Sequence, residues 1–283
     1  MSKNLSSLTE LSLSASLVVY KPDLLVLERT LLALRRAAQE AKCHYMFHFE
    51  LTLVDNSSDV AWHDRIQKWV NKHTDQCSDW TLRLLQAPGN IGYGRGNNLV
   101  IVETQSNYHL VINPDLFVAP DALTQAIRFM ESSPDVGLLT PAVFGEEGEQ
   151  HYLCKHNPTL FIMFLRGLAP AWLRSSFKVK LDAYEMRECN YDAQIEAIQF
   201  PTGCFMFFRT VRLREIGGFD DSFFLYFEDA DIGRRMLQIA RVVYMPMVKV
   251  THRWSRDAHR NWQLRWVFIG SALIYWKKWG GIF

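Results

Sequence analysis

Between residues 14 and 112, short apolar runs alternate with helical stripes, and this constrains the fold more than any other feature of the chain. Ser14 to Tyr20 (SASLVVY) is a β-branched run, followed by Lys21-Pro22-Asp23 and a stripe at Leu24, Leu27, Leu31, Leu34 and Ala38. Glu50 to Val54 (ELTLV) ends at Asp55-Asn56-Ser57-Ser58-Asp59 and precedes a stripe at Trp62, Ile66, Trp69 and Val70. Thr81 to Gln86 runs into a glycine-rich loop, a helix predicted from about Asn97, and the strand His109 to Ile112. Period-two runs alternating with period-3.6 runs require parallel strands joined by right-handed helical crossovers. In such sheets ligands bind at the carboxyl ends of the strands. The polar loops at 55–59, 89–98 and 113–115 are therefore the places to look for chemistry.

Size and charge narrow the classes. A chain of 283 residues, 48% hydrophobic and 22% charged, fits one large α/β unit with a C-terminal extension. Thirty-one Lys and Arg against 30 Asp and Glu leave a net charge of +1, so no general field draws it to nucleic acid. Cys43, Cys77, Cys154, Cys189 and Cys204 are scattered and contain no C-x-x-C pair, which favours a reducing compartment over a disulfide framework or a zinc site. No signal peptide is read at the N-terminus. The apolar stretch Trp266 to Trp276 has only eleven residues where a bilayer span needs about twenty. A cytoplasmic protein is expected.

Further along, a helix is predicted over 121–130, a strand over 136–144, and an exposed hairpin tip at Gly145-Glu-Glu-Gly-Glu149. Residues 151–190 show little period, and an acceptor-side or lid element is the reading for them. Order returns over 195–209, with a helix beginning near Glu228 and a short strand at Arg241 to Tyr244.

Four groups can carry chemistry. Asn113-Pro114-Asp115 follows an apolar strand; proline holds Asn113 extended and delivers a carboxylate to the crevice, although the same tripeptide also makes ordinary turns. Magnesium and manganese need few protein carboxylates when substrate phosphate and water complete the shell. Residues 219–231 (FDDSFFLYFEDAD) hold five acids and five aromatic rings without a base. Carboxylates packed among rings are tuned upward, toward general-base work, while acids at a helix start also simply complement its dipole. Gly89 to Asn98 (GNIGYGRGNN) is a loop whose amides can meet an anion, and it matches neither the P-loop nor the dinucleotide fingerprint. His252 is either structural or, near a metal and diphosphate, a ligand.

Taken together, VDNSSD (54–59), GNIGYGRGNN (89–98), VINPD (111–115), PTGCFMFFR (201–209) and GGFDDSFFLYFEDADIGRR (217–235) resemble, in kind and order, the family 2 glycosyltransferases of the GT-A fold, in particular the rhamnosyltransferase-like branch that builds bacterial surface polysaccharide. The resemblance implies a Rossmann-like, mostly parallel doubly wound sheet with helices on both faces and a C-terminal helical extension. It implies a catalytic domain over 1–252, with a donor half at about 14–118 and an acceptor half at about 119–252, followed by the extension 253–283. The implied activity is inverting transfer of a sugar, dTDP-L-rhamnose being the donor the branch suggests, to a saccharide or lipid-linked acceptor with Mn²⁺ or Mg²⁺. Asp229 is the implied catalytic base, paired with Glu228. The donor-facing set is Tyr20, Asp55, Asn56, Asn90, Gly92, Tyr93, Gly94, Asn97, Asn113 and Asp115. Asp115 and His252 are the metal set, and Gly203, Asp220 and Trp254 face the acceptor. The family pattern usually carries Glu at the position of Asp221, and a glycine before the serine of the His252 region, where this chain has Arg253-Trp254 before Ser255.

The extension holds five of the nine tryptophans, and Trp262, Trp266, Ile269, Leu273 and Trp276 fall on one helical stripe. That stripe suits the catalytic core, a second copy of the chain, or a membrane surface at 256–279, with Arg256, Arg260, Arg265, Lys277 and Lys278 facing anionic lipid. The last would place the enzyme peripherally at the inner face of the cytoplasmic membrane. Two other functions share some of these features. A sugar nucleotidyltransferase would carry a basic glycine-rich loop after its first strand, where this chain has Lys21-Pro22-Asp23; a non-catalytic saccharide-binding protein would use the aromatic surface alone.

Overall fold

The computed structural model describes residues 10–74, 80–167, 169–253 and 262–280. In chain order the elements are β1 (Leu11–Val19), α1 (Leu24–Lys42), β2 (Phe47–Asp55), α2 (Val60–Thr74), β3 (Thr81–Gln86), α3 (Tyr93–Ile101), β4 (Tyr108–Ile112), β5 (Leu116–Val118), α4 (Ala122–Ser132), β6 (Val136–Phe144) and β7 (Gln150–His151). There follow α5 (Leu160–Gly167), α6 (Ala171–Ser176), α7 (Lys178–Tyr184), β8 (Phe205–Arg209), α8 (Thr210–Glu215), α9 (Glu228–Leu237), β9 (Arg241–His252) and α10 (Trp262–Trp279).

Among the described residues all nine strands join one sheet in the order β3-β2-β1-β4-β8-β6-β9-β5, with β7 beside β6. β1 to β4 pair in parallel, β8 runs against both β4 and β6, and β9 lies parallel to β6. Hence β1, β2, β3, β4, β6 and β9 share one direction, and β5, β7 and β8 oppose it. The expected parallel sheet is present, with a reversed strand inserted at its centre. Period-two alternation explains how both faces are filled. Leu110, Ile112, Phe205 and Phe207 enter a core beneath α1, α2 and α4, whereas Val111, Met206 and Phe208 enter a second core with Leu213 of α8 and Ile232 and Met236 of α9. The hairpin at 145–149 forms as expected, closed by the Gly145 amide donating to the Glu149 carbonyl at 2.8 Å.

Two boundaries differ from the sequence reading. α3 starts at Tyr93, not near Asn97. Gly94 and Gly96 are therefore helical, and they are small for packing: a Cβ would lie 3.0 Å from the Phe219 and Val18 side chains, respectively. β9 continues past Tyr244 to His252, through a register shift opposite Pro141 and Ala142 that accommodates Pro246. Within 151–190, read as an acceptor-side or lid element, the short helices α5, α6 and α7 pack around Ile162, Leu165, Ala169 and Tyr184.

A polar seam crosses the sheet centre. His109 on β4 is fully buried, its Nδ1 2.7 Å from Ser14 Oγ and its Nε2 3.0 Å from Ser16 Oγ. Burial holds its pKa down at about 3, so the ring is neutral. Ser16 in turn donates to Asn97 Oδ1 at 2.6 Å.

The C-terminal helix divides its faces. Ser271, Ala272, Tyr275 and Trp276 are buried against Phe223, Phe227 and Ala230, while Trp262, Trp266, Ile269 and Leu273 are exposed. Trp276 thus leaves the predicted stripe. It sits on the stripe's flank, one step round the helix from Ala272 and Tyr275, and its indole N–H donates to the Pro158 carbonyl at 3.0 Å.

Candidate active site

The sheet topology assembles the site at the carboxyl edge of the parallel strands. β4 ends at Ile112, and the antiparallel β8 begins opposite it at Phe205, so the segment preceding β8 lies at this edge. The Asn113 amide donates to the Cys204 carbonyl at 3.0 Å, fastening the two chain segments together. β5 pairs Leu116 with His252 of β9, which carries Asp115 to the end of that strand. Asp115 Oδ1 stands 3.3 Å from His252 Nε2, and the Arg253 amide donates to the Asp115 carbonyl at 3.0 Å. Residues 137 positions apart are thereby joined by one strand pair. Thr30 of α1 supports the loop from below, its hydroxyl donating to the Pro114 carbonyl at 2.7 Å.

The glycine-rich segment closes the opposite wall. Gly92 adopts φ +95°, and a Cβ there would lie 2.3 Å from the Phe224 carbonyl oxygen, so only glycine fits. The Tyr93 amide donates to that same carbonyl at 2.9 Å. Asn98 clamps the other end of the acid-aromatic loop: its side chain accepts from the Phe219 amide at 2.9 Å and donates to the Phe219 carbonyl at 2.8 Å. Asn56 ties the turn together, accepting from the Ile91 amide at 3.0 Å and donating to the Gly92 carbonyl at 3.1 Å.

Glu228 and Asp229 open α9 after Tyr226 and Phe227, both left-handed at φ +71° and +66°. Non-glycine residues in that region cost about 1 to 3 kcal/mol each and persist where packing over-determines them. Here the Phe227 ring is held by Phe268, Tyr275 and Trp276 of α10 at centroid distances of 5.1, 5.5 and 5.9 Å. The strained turn aims Asp229 at Gly203, where a Cβ would stand 3.1 Å from Asp229 Oδ2. The Ala230 amide donates to Asp229 Oδ1 at 3.0 Å. Burial pushes the carboxyls of both Glu228 and Asp229 above the usual carboxylate range. For Glu228 the neighbouring Asp229 charge adds to the rise; for Asp229 the Lys155 ammonium and backbone amides oppose it. Glu228 Oε2 is buried with no hydrogen-bond partner among the described residues, as suits a protonated acid. Tyr93 completes the wall, its hydroxyl donating to the Gly203 carbonyl at 2.8 Å.

Cys204 ties the two acidic ends together. Burial pushes its thiol up to about 12, and the charges of Asp115 and Asp229 both contribute. One segment joins the two ends: the Cys204 carbonyl accepts from the Asn113 amide, two residues before Asp115, and the adjacent Gly203 faces the Asp229 carboxylate.

The expected site residues divide into groups. Asp115, Asn113, Gly203, Asp229, Glu228, Tyr93 and His252 lie around this edge, with Gly92 and Gly94 in the wall; Tyr20 and Asn90 are exposed at neighbouring strand ends. Asn97 points the other way: it is fully buried, accepting from Ser16 and donating to the Tyr93 carbonyl at 3.0 Å, and so supports α3 from within. Asp55 is also fully buried, accepting from the Ser57 amide at 3.0 Å and lying 3.0 Å from His63 Nδ1. Asp220 is bound to Lys278 of α10 at 2.5 Å and held down at about 2, chiefly through that hydrogen bond and the Ser222 amide working against desolvation. Trp254, with Arg256 and Arg260, lies outside the described residues. Sequence reasoning missed Lys155 and His63, and it turned Lys278 toward anionic lipid, whereas that ammonium pairs with Asp220 and, at 2.7 Å, with Asp231. Lys155 becomes informative only through Phe200, far away in the chain, and His63 through its contact with Asp55, eight residues earlier.

No cluster of three or more His, Cys, Asp or Glu side chains suited to a metal occurs among the described residues. A carboxylate and an imidazole 3.3 Å apart nonetheless fit a divalent cation that takes its remaining ligands from diphosphate and water.

The family model described as Glycosyl transferase family 2 matches residues 17–211, which include the wall, the Asp115 loop and the Gly203 segment. This chain belongs to glycosyl transferase family 2. It is similar to the N-acetylglucosaminyl-diphospho-decaprenol L-rhamnosyltransferase of Mycobacterium tuberculosis (strain CDC 1551 / Oshkosh), at 25% identity over 227 residues, 74% of this chain and 68% of that protein. It is likewise similar to Rhamnosyltransferase WbbL of Escherichia coli (strain K12), at 25% identity over 182 residues, 60% of this chain and 63% of that protein. Among solved structures, GalNAc-T7 with UDP, GalNAc and Mn²⁺ superposes with a TM-score of 0.61 at 11% identity, covering 89% of this chain and 45% of that one. That likeness is one of fold, and the fold of this family 2 member is GT-A.

Proposed function

We propose that the chain is an inverting glycosyltransferase that moves a sugar, L-rhamnose from dTDP-L-rhamnose first among candidates, onto a saccharide or lipid-linked saccharide. The observation that supports this reading is the Gly203-Cys204 segment, which faces the Asp229 carboxylate at Gly203 and binds the Asn113 amide, two residues before Asp115, at Cys204. Asp115 and His252 would hold Mn²⁺ or Mg²⁺, which supplies Lewis-acid stabilisation to a departing diphosphate. The rest is work for this chain's own groups. Asp229 accepts the proton of the attacking hydroxyl as the new C1–O bond forms, and Glu228, kept protonated by burial, leaves the pair with a single negative charge. Tyr93 and Asn113 position Gly203 and Cys204, which fixes the gap between the acids. Attack from the face opposite the leaving group inverts the anomeric centre.

The proposed division assigns residues 14–118 to the donor and 119–252 to the acceptor, with Tyr20 and Asn90 presented toward the nucleotide. Asp55 would act through its backbone and its His63 contact, its carboxylate being enclosed. A lipid-linked acceptor is the reading the exposed apolar stripe of α10 supports, together with Phe161, Phe164 and Trp172 on α5 and α6. No helix among the described residues is long and apolar enough to cross a membrane, so contact would be peripheral. The reading places the enzyme at the inner face of the cytoplasmic membrane.

Incubation with Mn²⁺ and a panel of nucleotide sugars tests the function. Release of nucleoside diphosphate from one donor, abolished in Asp229→Ala and Asp115→Ala, is expected. Absence of transfer and of donor hydrolysis across the panel would sink it.

A further inference from the structure

The acid-aromatic loop runs from Asp220 to Asp231, and α10 grips it at its middle and at both ends. In the middle the Ser271 hydroxyl donates to the Leu225 carbonyl at 2.7 Å. The Phe268 ring meets both left-handed residues, its centroid 5.6 Å from that of Tyr226 and 5.1 Å from that of Phe227. At the ends a single side chain takes hold: Lys278 Nζ lies 2.5 Å from Asp220 Oδ2 and 2.7 Å from Asp231 Oδ1. The stretch of chain between the two acids, strained turn included, is thus closed by one ammonium. Loop and helix both lie outside residues 17–211, which the family model matches.

Asp231 is the firmer anchor. It is fully buried; Oδ1 also accepts from the Trp279 indole at 2.8 Å, and Oδ2 accepts from Arg235 Nε at 2.7 Å. Arg235 reaches back to the Ile216 and Gly218 carbonyls at 2.6 and 2.7 Å, so the chain entering the loop is fixed to the same carboxylate. The Asp231 amide donates to the Phe227 carbonyl at 2.9 Å, across the first turn of α9. What holds Asp231 therefore sets that turn, and with it Glu228 and Asp229. At the other end Asp220 Oδ1 accepts from the Ser222 amide at 2.8 Å, while Oδ2 takes Lys278.

Successive left-handed residues other than glycine persist only where their surroundings over-determine them. A loop pinned at both ends has fewer ways to relax such a turn than one pinned at a single end. We infer that Lys278 is a positioning residue for the transfer: its ammonium staples Asp220 to Asp231, keeps the turn at 226–227 wound, and so holds the Asp229 carboxyl against Gly203. The inference rests on the reading of Asp229 as base. Without the ammonium, Asp231 keeps Arg235 and Trp279, and α10 keeps its rings on Phe227. Loss of the staple therefore loosens the loop without orphaning a buried charge.

Hydrogen exchange of the full chain, read by mass spectrometry over peptides from 220–231, tests the staple without any substrate. In Lys278→Met these peptides should exchange about tenfold faster or more while β1, β2 and β4 keep their rates, and Lys278→Arg should hold the original rate throughout. Asp220→Asn, which cuts the other arm, serves if the methionine variant fails to fold by circular dichroism. Unchanged exchange over 220–231, an arginine variant as fast as the neutral one, or a rise spread evenly over the sheet overturns the inference. In turnover, at a temperature where the variant is fully folded, Lys278→Met should lower kcat by about 10- to 100-fold with donor KM unchanged. Asp220→Asn should then add little to that loss, because both changes open the same staple. A loss confined to KM, or two losses that multiply in full, counts against it. If Asp229→Ala kept full turnover, the base reading would fail while the exchange result still judged the staple.

Discussion

The donor-side wall and the turn that presents the acids are built in opposite ways. The wall is made mostly by neighbouring loops: Asn56, Asn90, Ile91 and Gly92 exchange hydrogen bonds within loops that directly follow β2 and β3, and Tyr93 reaches across to the Phe224 carbonyl. The acid turn is made by strangers. Glu228 and Asp229 depend on a left-handed pair at 226 and 227, on rings from α10, and on a backbone segment at 200–204. Local construction yields a wall that forms with its sheet. Long-range construction yields a carboxylate pair that is enclosed and charged only as distant groups allow.

That contrast can be broken at several points, the largest effect first. Asp229→Ala should lower kcat by about 10² to 10⁴ while nucleotide affinity, read by calorimetry, stays put; the general-base contribution has that size. Trp276→Ala should cost about 3 to 5 kcal/mol in urea unfolding, since it empties a buried aromatic site and leaves the Pro158 carbonyl without its donor. It should also depress kcat, because it loosens the ring stack over Phe227. Gly92→Ala attacks the point where the wall meets the acid-aromatic loop: with φ +95° and the Phe224 carbonyl oxygen 2.3 Å from the new methyl carbon, a loss of about 2 kcal/mol or more is expected. Gly148→Ala, at φ +86° with open space around it, is the control and should cost only about 1 kcal/mol. Trp266→Ser should change stability by less than about 0.5 kcal/mol yet reduce sedimentation with anionic vesicles, since Trp266 is exposed.

The same contrast separates what is legible in the sequence from what is not. The crossover units, the Asp115 loop, the hairpin at 145–149 and the acid-aromatic block are written in contiguous residues whose period or composition states their role. Lys155 carries no such sign, because its meaning comes from a bridge to Phe200, far away in the chain. Asn97 misled for a related reason: a polar residue in a glycine-rich stretch looks solvent-facing until the helix is seen to begin at Tyr93, which turns it toward Ser16. Trp276 was ambiguous because a residue on the flank of a helical stripe can serve either face, and the Pro158 carbonyl settles which.

The imidazole locked between two serines at the middle of the sheet also makes the folded state acid-labile. In the unfolded chain His109 takes up a proton near pH 6.5, whereas in the sheet its pKa is about 3. Stability it supports is therefore full above pH 6.5 and drains as acidity increases toward pH 3, by up to about 1.4 kcal/mol per pH unit. Chemical denaturation at successive pH values should reveal that slope, and a vanishing slope in His109→Gln would trace it to this ring.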